Sequence, residues 1–343
     1  MRSLRRTGPS KTLSYADDFP DPTSKSDPDT SKFYLIHTHA VALTRGELAW
    51  PEPLSVPIPI PGYDIAGTIV CAPTVPASKR GSEQTIPPFK PGDAVYALTS
   101  FSRQGNAREV SIALEDEIAL KPKNLGWEEA ASVPLSALTA YQALFVHAGL
   151  KPPTVEAERT ARENEGKNIG KRVLVTAAAG GVGVWAVQLA HAAGARVVGT
   201  CGTSNVDFVK SLGADEVIDY SGTNLLDWVN EVRENRAFDI VLDCVGGQAL
   251  EDAWKTAKPG GRVISVAEPP DTKKPKEGVQ EGVESRWFIV EPNGSQLEEI
   301  TKFIEGGKGK GVVDSVYDLQ DWEKAFERLE SGHAKGKVVL KVR

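Results

Sequence analysis

The chain has 343 residues and a mass of 36.8 kDa, enough for about two domains of ordinary size. Its 40% hydrophobic and 25% charged residues are typical of a globular protein with a sizeable core, which excludes a largely disordered chain. The formal net charge of −6 argues against nucleic acid as a partner. The three cysteines exclude a disulfide framework and any site with four thiolate ligands.

The start of the chain allows two interpretations, which imply different compartments. All charged residues before Asp17 are basic, as in a mitochondrial transit peptide. These basic residues are Arg2, Arg5, Arg6 and Lys11. We favour the alternative, in which residues 2–7 and 11–16 form two short strands around a turn at Gly8-Pro9. With so few cysteines, a cytoplasmic location is then expected, and a mitochondrial one is the alternative.

Short apolar segments separated by proline and glycine continue to about residue 120 and predict an all-β region. The predicted strands are 33–43, 64–72, 93–98, 107–113 and 117–122, with an exposed loop at 73–90. An alanine-rich pattern after Leu125 then predicts two helices. Residues 151–170 carry charges of both signs and few apolar residues, which predicts a solvated insertion.

Strands and helices alternate from Arg172 onward, which predicts a parallel sheet with right-handed crossovers. The strands are predicted at 172–176, 196–200, 216–220, 238–245 and 262–266, and the helices at 182–193, 204–212, 223–234 and 247–257. A polar loop at 267–286 precedes a strand at 286–292, a helix at 295–307, a further strand, a helix at 321–332 and a closing strand at 335–343. The longest mostly apolar run, 177–190, is shorter than the roughly 18 residues that a membrane span needs.

The strongest chemical signal is the turn Gly180-Gly181-Val182-Gly183, which follows one predicted strand and opens a helix. Glycines let a phosphate approach the backbone, and the helix N-terminus supplies amide donors and a positive dipole end. A second strand follows at the expected distance, so this context predicts a dinucleotide site.

The residues about 20 positions after the glycines favour NADP(H) over NAD(H). No acid that would repel a 2′-phosphate occurs from Thr200 to Val206. Thr203, Ser204 and Asn205 offer hydrogen-bond donors there, and Tyr220 ends the next strand, where it is either an adenosine contact or an ordinary aromatic. The nearest downstream cation is Lys210.

These segments resemble the medium-chain dehydrogenase/reductase superfamily, in its zinc-free quinone oxidoreductase-like branch, along essentially the whole chain. The matching blocks are PGYDIAGTIV at 61–70, KPGDAVYAL at 90–98, EEAASVPLSALTAYQAL at 128–144, VLVTAAAGGVGVWAVQLA at 173–190, LGADEVIDY at 212–220, FDIVLDCVGG at 238–247 and GHAKGKVVL at 332–340. The resemblance implies an α/β protein with a GroES-like β domain formed by both chain ends, 1–136 and 289–343. A Rossmann doubly wound parallel-sheet domain is expected at 137–288.

The resemblance also implies which residues contact NADPH. Gly180, Gly181, Val182 and Gly183, the turn from Thr203 to Val206 and Tyr220 are the expected contacts. Thr139, Val245 and Val266 are expected near the nicotinamide half. One departure is Val206, which stands where several relatives have a lysine that grips the 2′-phosphate.

Zinc-dependent relatives hold a catalytic metal with a cysteine, the histidine of a Gly-His-Glu motif and a later cysteine. Here the matching stretches are 44–47 and Gly62-Tyr63-Asp64, so no metal is expected. His37 and His39 share a strand face but have no third ligand nearby in sequence. Tyr63 becomes the candidate for proton donation or substrate positioning, against a packing role, and Trp50 a candidate wall of the substrate pocket.

Without zinc, alcohol oxidation is disfavoured, and hydride transfer to a small molecule, a quinone or an α,β-unsaturated carbonyl, is expected. One alternative is a 2-enoyl-thioester reductase of fatty-acid or polyketide assembly. Another is a structural or regulatory NADPH-binding protein with little activity. The family often forms homodimers, yet the polar loop at 267–286 is also compatible with a monomer.

Overall fold

A computed structural model of the chain describes residues 1–7, 12–20, 22, 32–50, 59–73, 88–153 and 168–343. Most of the loop predicted at 73–90 and of the insertion predicted at 151–170 lies outside the described residues. The chain forms two compact units: Met1–Leu138 with Glu291–Glu305 and Gly311–Arg343, and Thr139–Val290 with Gly306–Lys310. The domain boundaries predicted after residues 136 and 288 stay a prediction, since compactness alone does not define a domain.

The strands of the first unit are β1 (Ser3–Thr7), β2 (Thr12–Ala16), β3 (Tyr34–Ala42), β4 (Asp64–Cys71), β5 (Ala94–Leu98), β6 (Val110–Ala113), β7 (Ile118–Leu120), β14 (Val313–Asp318) and β15 (Lys337–Lys341). Seven of them form one sheet of order β14-β15-β3-β4-β5-β7, with β6 also paired to β3. In this sheet β14 and β15 run parallel, and the other pairs are antiparallel. A separate hairpin joins β1 and β2, the two strands predicted at the start of the chain, with Leu4 fully buried.

Helices α1 (Trp127–Ala131), α8 (Gly294–Glu305) and α9 (Trp322–Glu330) belong to this unit, and α2 (Pro134–Tyr141) contains the residue at which the two units divide. The Glu129 carboxylate accepts a hydrogen bond from the Gly126 amide at 2.9 Å, which satisfies a backbone donor at the start of α1. The buried Tyr96 hydroxyl hydrogen-bonds Leu297 and Thr301, which ties β5 to α8.

The strands of the second unit are β8 (Arg172–Val175), β9 (Arg196–Cys201), β10 (Glu216–Asp219), β11 (Phe238–Asp243), β12 (Ala257–Ser265) and β13 (Glu284–Trp287). They form a six-stranded sheet of order β10-β9-β8-β11-β12-β13, in which every pair is parallel. Its helices are α3 (Gly181–Ala192), α4 (Val206–Ser211), α5 (Leu225–Glu231), α6 (Arg233–Arg236) and α7 (Gly247–Thr256). This is the doubly wound Rossmann order, and the predicted fold class is confirmed.

Several predicted elements differ from the structure in extent; the strand predicted at 262–266, for example, is β12, which begins at Ala257. The helix predicted at 223–234 is two helices, because Val232 leaves helical geometry with φ −146° and ψ 62°. The strand predicted at 286–292 shares only two residues with β13. The strand begins earlier, where Glu284 pairs with Arg262 both in register and through a 3.1 Å ion pair, and it ends at Trp287. Of the two helices predicted after Leu125, the second is α2. The chain continues α2 as a wider π-type turn over Gln142–His147. No helix among the described residues is both long and apolar enough to cross a membrane.

Candidate functional site

Because all strands of the second unit are parallel, their carboxyl ends share one edge of the sheet. The chain order reverses between β8, with β9 and β10 on one side, and β11, with β12 and β13 on the other. Open α/β sheets bind ligands at such a reversal. The sequence-predicted cofactor residues that follow β8, β9, β10, β11 and β12 therefore come to the same edge, whereas Thr139 is a buried residue of α2.

The glycine turn folds tightly against the loop that precedes it. A Cβ atom on Gly183 would lie 2.2 Å from the Ala177 carbonyl oxygen and 2.7 Å from the Ala178 Cα, so only glycine fits. Ala177 itself has φ 48°, the left-handed region that non-glycine residues rarely adopt. The first helical hydrogen bond runs from the Val184 amide to the Gly180 carbonyl at 2.9 Å. The amides of Gly181, Val182 and Gly183 thus have no partner within α3 and can face an anion.

The ends of β9 and β10 form the position where a dinucleotide would place its adenosine ribose. Tyr220 donates its amide to the Cys201 carbonyl at 3.1 Å, and its exposed ring lies across Gly202, where a Cβ would be 3.3 Å from the Tyr220 hydroxyl. Thr203 and Ser204 are exposed beside it, and Asn205 and Val206 are partly exposed. The structure thus brings Tyr220 and the predicted turn together.

A buried carboxylate connects three of the loops at the same edge. Asp243, the last residue of β11, accepts hydrogen bonds from the Thr176 hydroxyl (3.0 Å), the Ser265 hydroxyl (2.9 Å) and the Gly246 amide (3.0 Å). Its own carbonyl accepts the Val266 amide at 3.0 Å. Sequence reasoning missed Asp243, although an acid at the end of an otherwise apolar strand was a usable signal.

Above this network, two of the three predicted nicotinamide contacts, Val245 and Val266, are open to solvent, whereas Thr139 is buried. Val245 is 53% exposed and Val266 is partly exposed, while Asp243 and Ser265 are completely buried beneath them. Burial, and after it the charge of Asp243, raises the pKa of the neighbouring Cys244 thiol far above its usual range. Cys244 therefore stays protonated and is not a nucleophile.

In the first unit, three aromatic side chains form one cluster. The Tyr63 ring centroid lies 4.9 Å from that of Phe101 and 6.2 Å from that of Trp50, and Trp50 and Phe101 are 5.5 Å apart. Trp50 is 37% exposed, and the other two are partly exposed. The structure thus unites the two predicted pocket residues and adds Phe101, which carried no sequence signal.

Beside Tyr63 in the chain begins a buried group of charges. The Lys337 ammonium lies 3.1 Å from Asp64 Oδ2 and 2.9 Å from the Thr44 hydroxyl, and Asp64 Oδ1 accepts the Leu135 amide at 2.6 Å. Glu47 is buried nearby and accepts the Gly62 amide at a long 3.4 Å. Burial raises the pKa of Glu47 to about 8, despite the opposing effect of Lys337. Burial likewise raises the pKa of Asp64, with Lys337 opposing it.

His37 and His39 share strand β3 and are the two histidines that the sequence offers as neighbouring metal ligands. Among the described residues, no three histidine, cysteine, aspartate or glutamate side chains are grouped closely enough to hold a metal ion. His37 Nδ1 faces Arg343 at 3.3 Å, while His39 bonds Thr68 and stacks on Trp127 with ring centroids 4.1 Å apart. Burial lowers the pKa of both histidines. Each of these two histidines thus has another partner in the structure.

The chain matches proteins of one enzyme superfamily. A family model described as "Zinc-binding dehydrogenase" matches residues 212–340. A relative from Arthroderma benhamiae, named "Probable zinc-binding oxidoreductase, mitochondrial", is 47% identical over 90% of this chain and 88% of its own length. The "NAD(P)H oxidoreductase RTN4IP1, mitochondrial" of Danio rerio is 32% identical over 74% of this chain and 67% of its own.

Two further proteins extend the comparison to a named reaction and to a solved structure. The "2-methylene-furan-3-one reductase" of Solanum lycopersicum is 35% identical over 83% of this chain and 64% of its own. The solved quinone oxidoreductase from Coxiella burnetii has a TM-score of 0.78 and 26% identity, and the match covers 100% of this chain and 99% of that one. The chain therefore belongs to the medium-chain dehydrogenase/reductase superfamily, in its quinone oxidoreductase-like branch, and is an NAD(P)H-type oxidoreductase.

Proposed function

We propose that the protein is a zinc-independent, NADPH-dependent reductase whose small-molecule acceptor is a quinone or an α,β-unsaturated carbonyl compound. The observation that carries the proposal is Tyr63, which stands where zinc-dependent relatives place a ligating histidine, next to the buried ion pair of Asp64 and Lys337. The names of the tomato and Coxiella proteins support the two acceptor classes.

The ion pair argues against a metal on physical grounds. The Asp64 carboxylate is fully buried and already accepts from the Leu135 amide and faces the Lys337 ammonium. Lys337 already balances the charge of Asp64, so this carboxylate leaves no unpaired negative charge that would bind a cation. Tyr63, at the position of the ligating histidine, is not one of the usual zinc ligands, which are cysteine, histidine, aspartate and glutamate.

The residues at the sheet edge fit a nicotinamide nucleotide. The amides of Gly181, Val182 and Gly183 at the start of α3 suit its pyrophosphate. Thr203, Ser204, Asn205, Val206 and Tyr220 would hold the adenosine end. When bound, the reduced cofactor supplies a hydride. Thr139, Val245 and Val266 are the proposed contacts of its nicotinamide half.

The aromatic cluster fits a flat, conjugated acceptor. Trp50, Tyr63 and Phe101 offer ring faces and edges, and aromatic pairs gain energy beyond simple area burial, about 0.5–1.5 kcal/mol. We assign Trp50 and Phe101 to orientation of the acceptor. Tyr63 is assigned either to orientation or to donation of the proton that conjugate reduction requires.

The proposal is tested with purified protein by following NADPH consumption against a panel of quinones, enones and an enoyl thioester. We expect turnover with at least one quinone or enone, no stoichiometric zinc by mass spectrometry, and no inhibition by a chelator. Zinc at one equivalent together with chelator-sensitive activity would refute zinc independence. Tight NADPH binding without turnover on any acceptor would instead favour a structural or regulatory role.

Two variants separate orientation from proton donation in the aromatic cluster. Tyr63→Phe removes only the hydroxyl, and Phe101→Leu removes one ring of the cluster. If Tyr63 donates the proton, Tyr63→Phe lowers kcat for an enone by about 100-fold or more with little change in KM. Phe101→Leu should mainly raise KM. An unchanged enone turnover in Tyr63→Phe would remove the hydroxyl from the mechanism.

Location and assembly are proposals as well. The names of two relatives describe mitochondrial proteins, which supports a mitochondrial location beside the cytoplasmic one expected from sequence. Fluorescence microscopy of a carboxyl-terminal fusion distinguishes the two.

A homodimer is supported by the sheet edge at β13, where Trp287 and Ile289 are 43% and 61% exposed. Light scattering during gel filtration would reveal a monomer instead.

A further inference from the structure

A second acid lies at the carboxyl edge of the parallel sheet, in the half of the proposed cofactor site that is assigned to the nicotinamide. Glu268 is the third residue after β12, and its carboxylate accepts a hydrogen bond from the Gly247 amide at the start of α7. The carboxylate also lies against Gly246, where a Cβ atom would be 2.7 Å from Glu268 Oε1. Glu268 therefore reaches back from the loop after β12 and contacts the turn that follows Val245.

The backbone fixes the position of this carboxylate. The Ser265 hydroxyl donates to Asp243 at 2.9 Å and accepts the Glu268 amide at 3.3 Å, so the loop after β12 is anchored to the end of β11. Val266 lies inside this loop, and Val245 directly precedes the turn that Glu268 contacts. The two proposed nicotinamide contacts thus lie on the two segments that the Glu268 carboxylate joins.

The charge of Glu268 is only partly offset by its surroundings. The dipole of α7 places about half of one positive charge at the helix start that the carboxylate faces. Among the described residues, the nearby basic side chains have other partners than Glu268, which is itself partly exposed. Lys255 pairs with Glu251, Lys258 with Asp239 and Arg262 with Glu284, and Lys274 lies over the ring of Trp254. A net negative charge therefore remains at this edge.

We propose that Glu268 stabilises the positive charge that the nicotinamide ring carries after hydride transfer, and so raises the affinity of the site for NADP⁺ relative to NADPH. Release of a hydride to the acceptor leaves the ring with one positive charge, and a nearby carboxylate attracts that form alone. The inference rests on the proposed cofactor site and deepens it. Both forms carry the same 2′-phosphate, so the preference for NADP(H) over NAD(H) is not involved.

The test compares the two oxidation states of the cofactor on the full chain. NADPH binding is followed by its fluorescence, and NADP⁺ binding by competition against NADPH. Glu268→Gln keeps an oxygen acceptor for the Gly247 amide and removes the charge, whereas Glu268→Asp keeps the charge on a side chain that is one carbon shorter. Glu284→Gln is the matched control, since Glu284 begins β13 at the opposite end of that strand and loses the same charge.

The quantity measured is the ratio of the Kd of NADP⁺ to the Kd of NADPH. We expect this ratio to rise about fivefold in Glu268→Gln, as for two unit charges roughly 10 Å apart in a half-solvated site. The rise should become smaller as salt is added. Glu268→Asp and Glu284→Gln should keep the wild-type ratio.

The other outcomes contradict the inference. An unchanged ratio in Glu268→Gln, or an equal rise in Glu284→Gln, would overturn it. An equal rise in Glu268→Asp, or loss of both cofactors in Glu268→Gln, would also overturn it, because Glu268 would then act through the shape of the turn. A wild-type protein that binds neither cofactor would overturn the inference and the cofactor site together. The titrations contain no acceptor, so the result does not depend on whether any acceptor is reduced.

Discussion

Replacement of the buried Glu47 should change how the stability of the protein depends on pH. Burial raises the pKa of this carboxyl from its usual 4.5 to about 8, and the long bond from the Gly62 amide does not compensate. The folded protein therefore keeps a proton on Glu47 up to about pH 8, whereas the unfolded chain releases it above 4.5. In this window the native state binds more protons, so the free energy of unfolding falls as pH rises.

The size of the effect follows from the shift. Below pH 4.5, Glu47 is protonated in the folded and in the unfolded chain, so its titration does not change the free energy of unfolding. Above pH 4.5 this free energy falls with pH until the folded chain also ionises Glu47 near pH 8. Between about pH 5 and pH 8 the wild type should lose about 3 kcal/mol through this group, at 1.36 kcal/mol per pKa unit. Glu47→Gln has the same shape and no titration. The difference in stability between the variant and the wild type should therefore grow by about 3 kcal/mol in favour of the variant.

Urea unfolding at a series of pH values, followed by tryptophan fluorescence and circular dichroism, measures that difference. Glu109→Gln is a control of the opposite sign. Burial acts to raise the pKa of Glu109, but the hydrogen bonds and charge of Arg2 outweigh it and leave the pKa below its usual value. Its contribution to stability is lost only as pH falls, so Glu109→Gln should differ from the wild type by a constant amount above about pH 5. Parallel curves for Glu47→Gln and the wild type would refute the assignment of a neutral Glu47.

Three further substitutions test the nucleotide site. Gly183→Ala places a Cβ 2.2 Å from a backbone atom and should lower the free energy of unfolding by about 1–3 kcal/mol, measured by thermal unfolding. It should also weaken NADPH binding in a fluorescence titration. The control Gly222→Ala, where a Cβ meets nothing within 4 Å, should change neither stability nor binding. Asp243→Asn turns a buried acceptor into a donor that faces other donors. The variant should lower the free energy of unfolding by about 1–3 kcal/mol in urea and raise the Kd of NADPH. Unchanged values would refute the role of Asp243 in holding the loops together. Ala177→Gly relieves φ 48° and should raise stability by up to about 1 kcal/mol, whereas the same change at buried Ala178 should lower it.

The parts of the site that lie close together in sequence were predictable. The glycine turn at 180–183 was found because a strand, a turn and a helix follow one another within about 20 residues and each has its own local signal. The parallel sheet followed in the same way from the alternation of apolar runs and helical patterns. Element ends were less predictable, since pairing such as that of Glu284 with Arg262 decides where β13 begins.

Features that depend on distant partners were not predictable from one sequence. Glu47 and Asp64 read as ordinary acids, and their burial depends on Lys337, more than 250 residues further along the chain. Phe101 follows β5 in a stretch without periodicity, and only the fold brings its ring within 4.9 Å of Tyr63. No local pattern encodes either contact.

The two acids at the sheet edge show the same limit in a sharper form. Asp219 and Asp243 each end a parallel strand, and each is followed within three residues by glycine, so the sequence does not distinguish them. Asp243 is fully buried, and its carboxylate accepts hydrogen bonds from the surrounding donors, so it holds the neighbouring loops together. Asp219 keeps solvent contact and accepts the Ser221 amide at 2.9 Å. Equivalent positions in the sequence thus acquire different environments because burial and the number of donors differ, and only the folded structure supplies both.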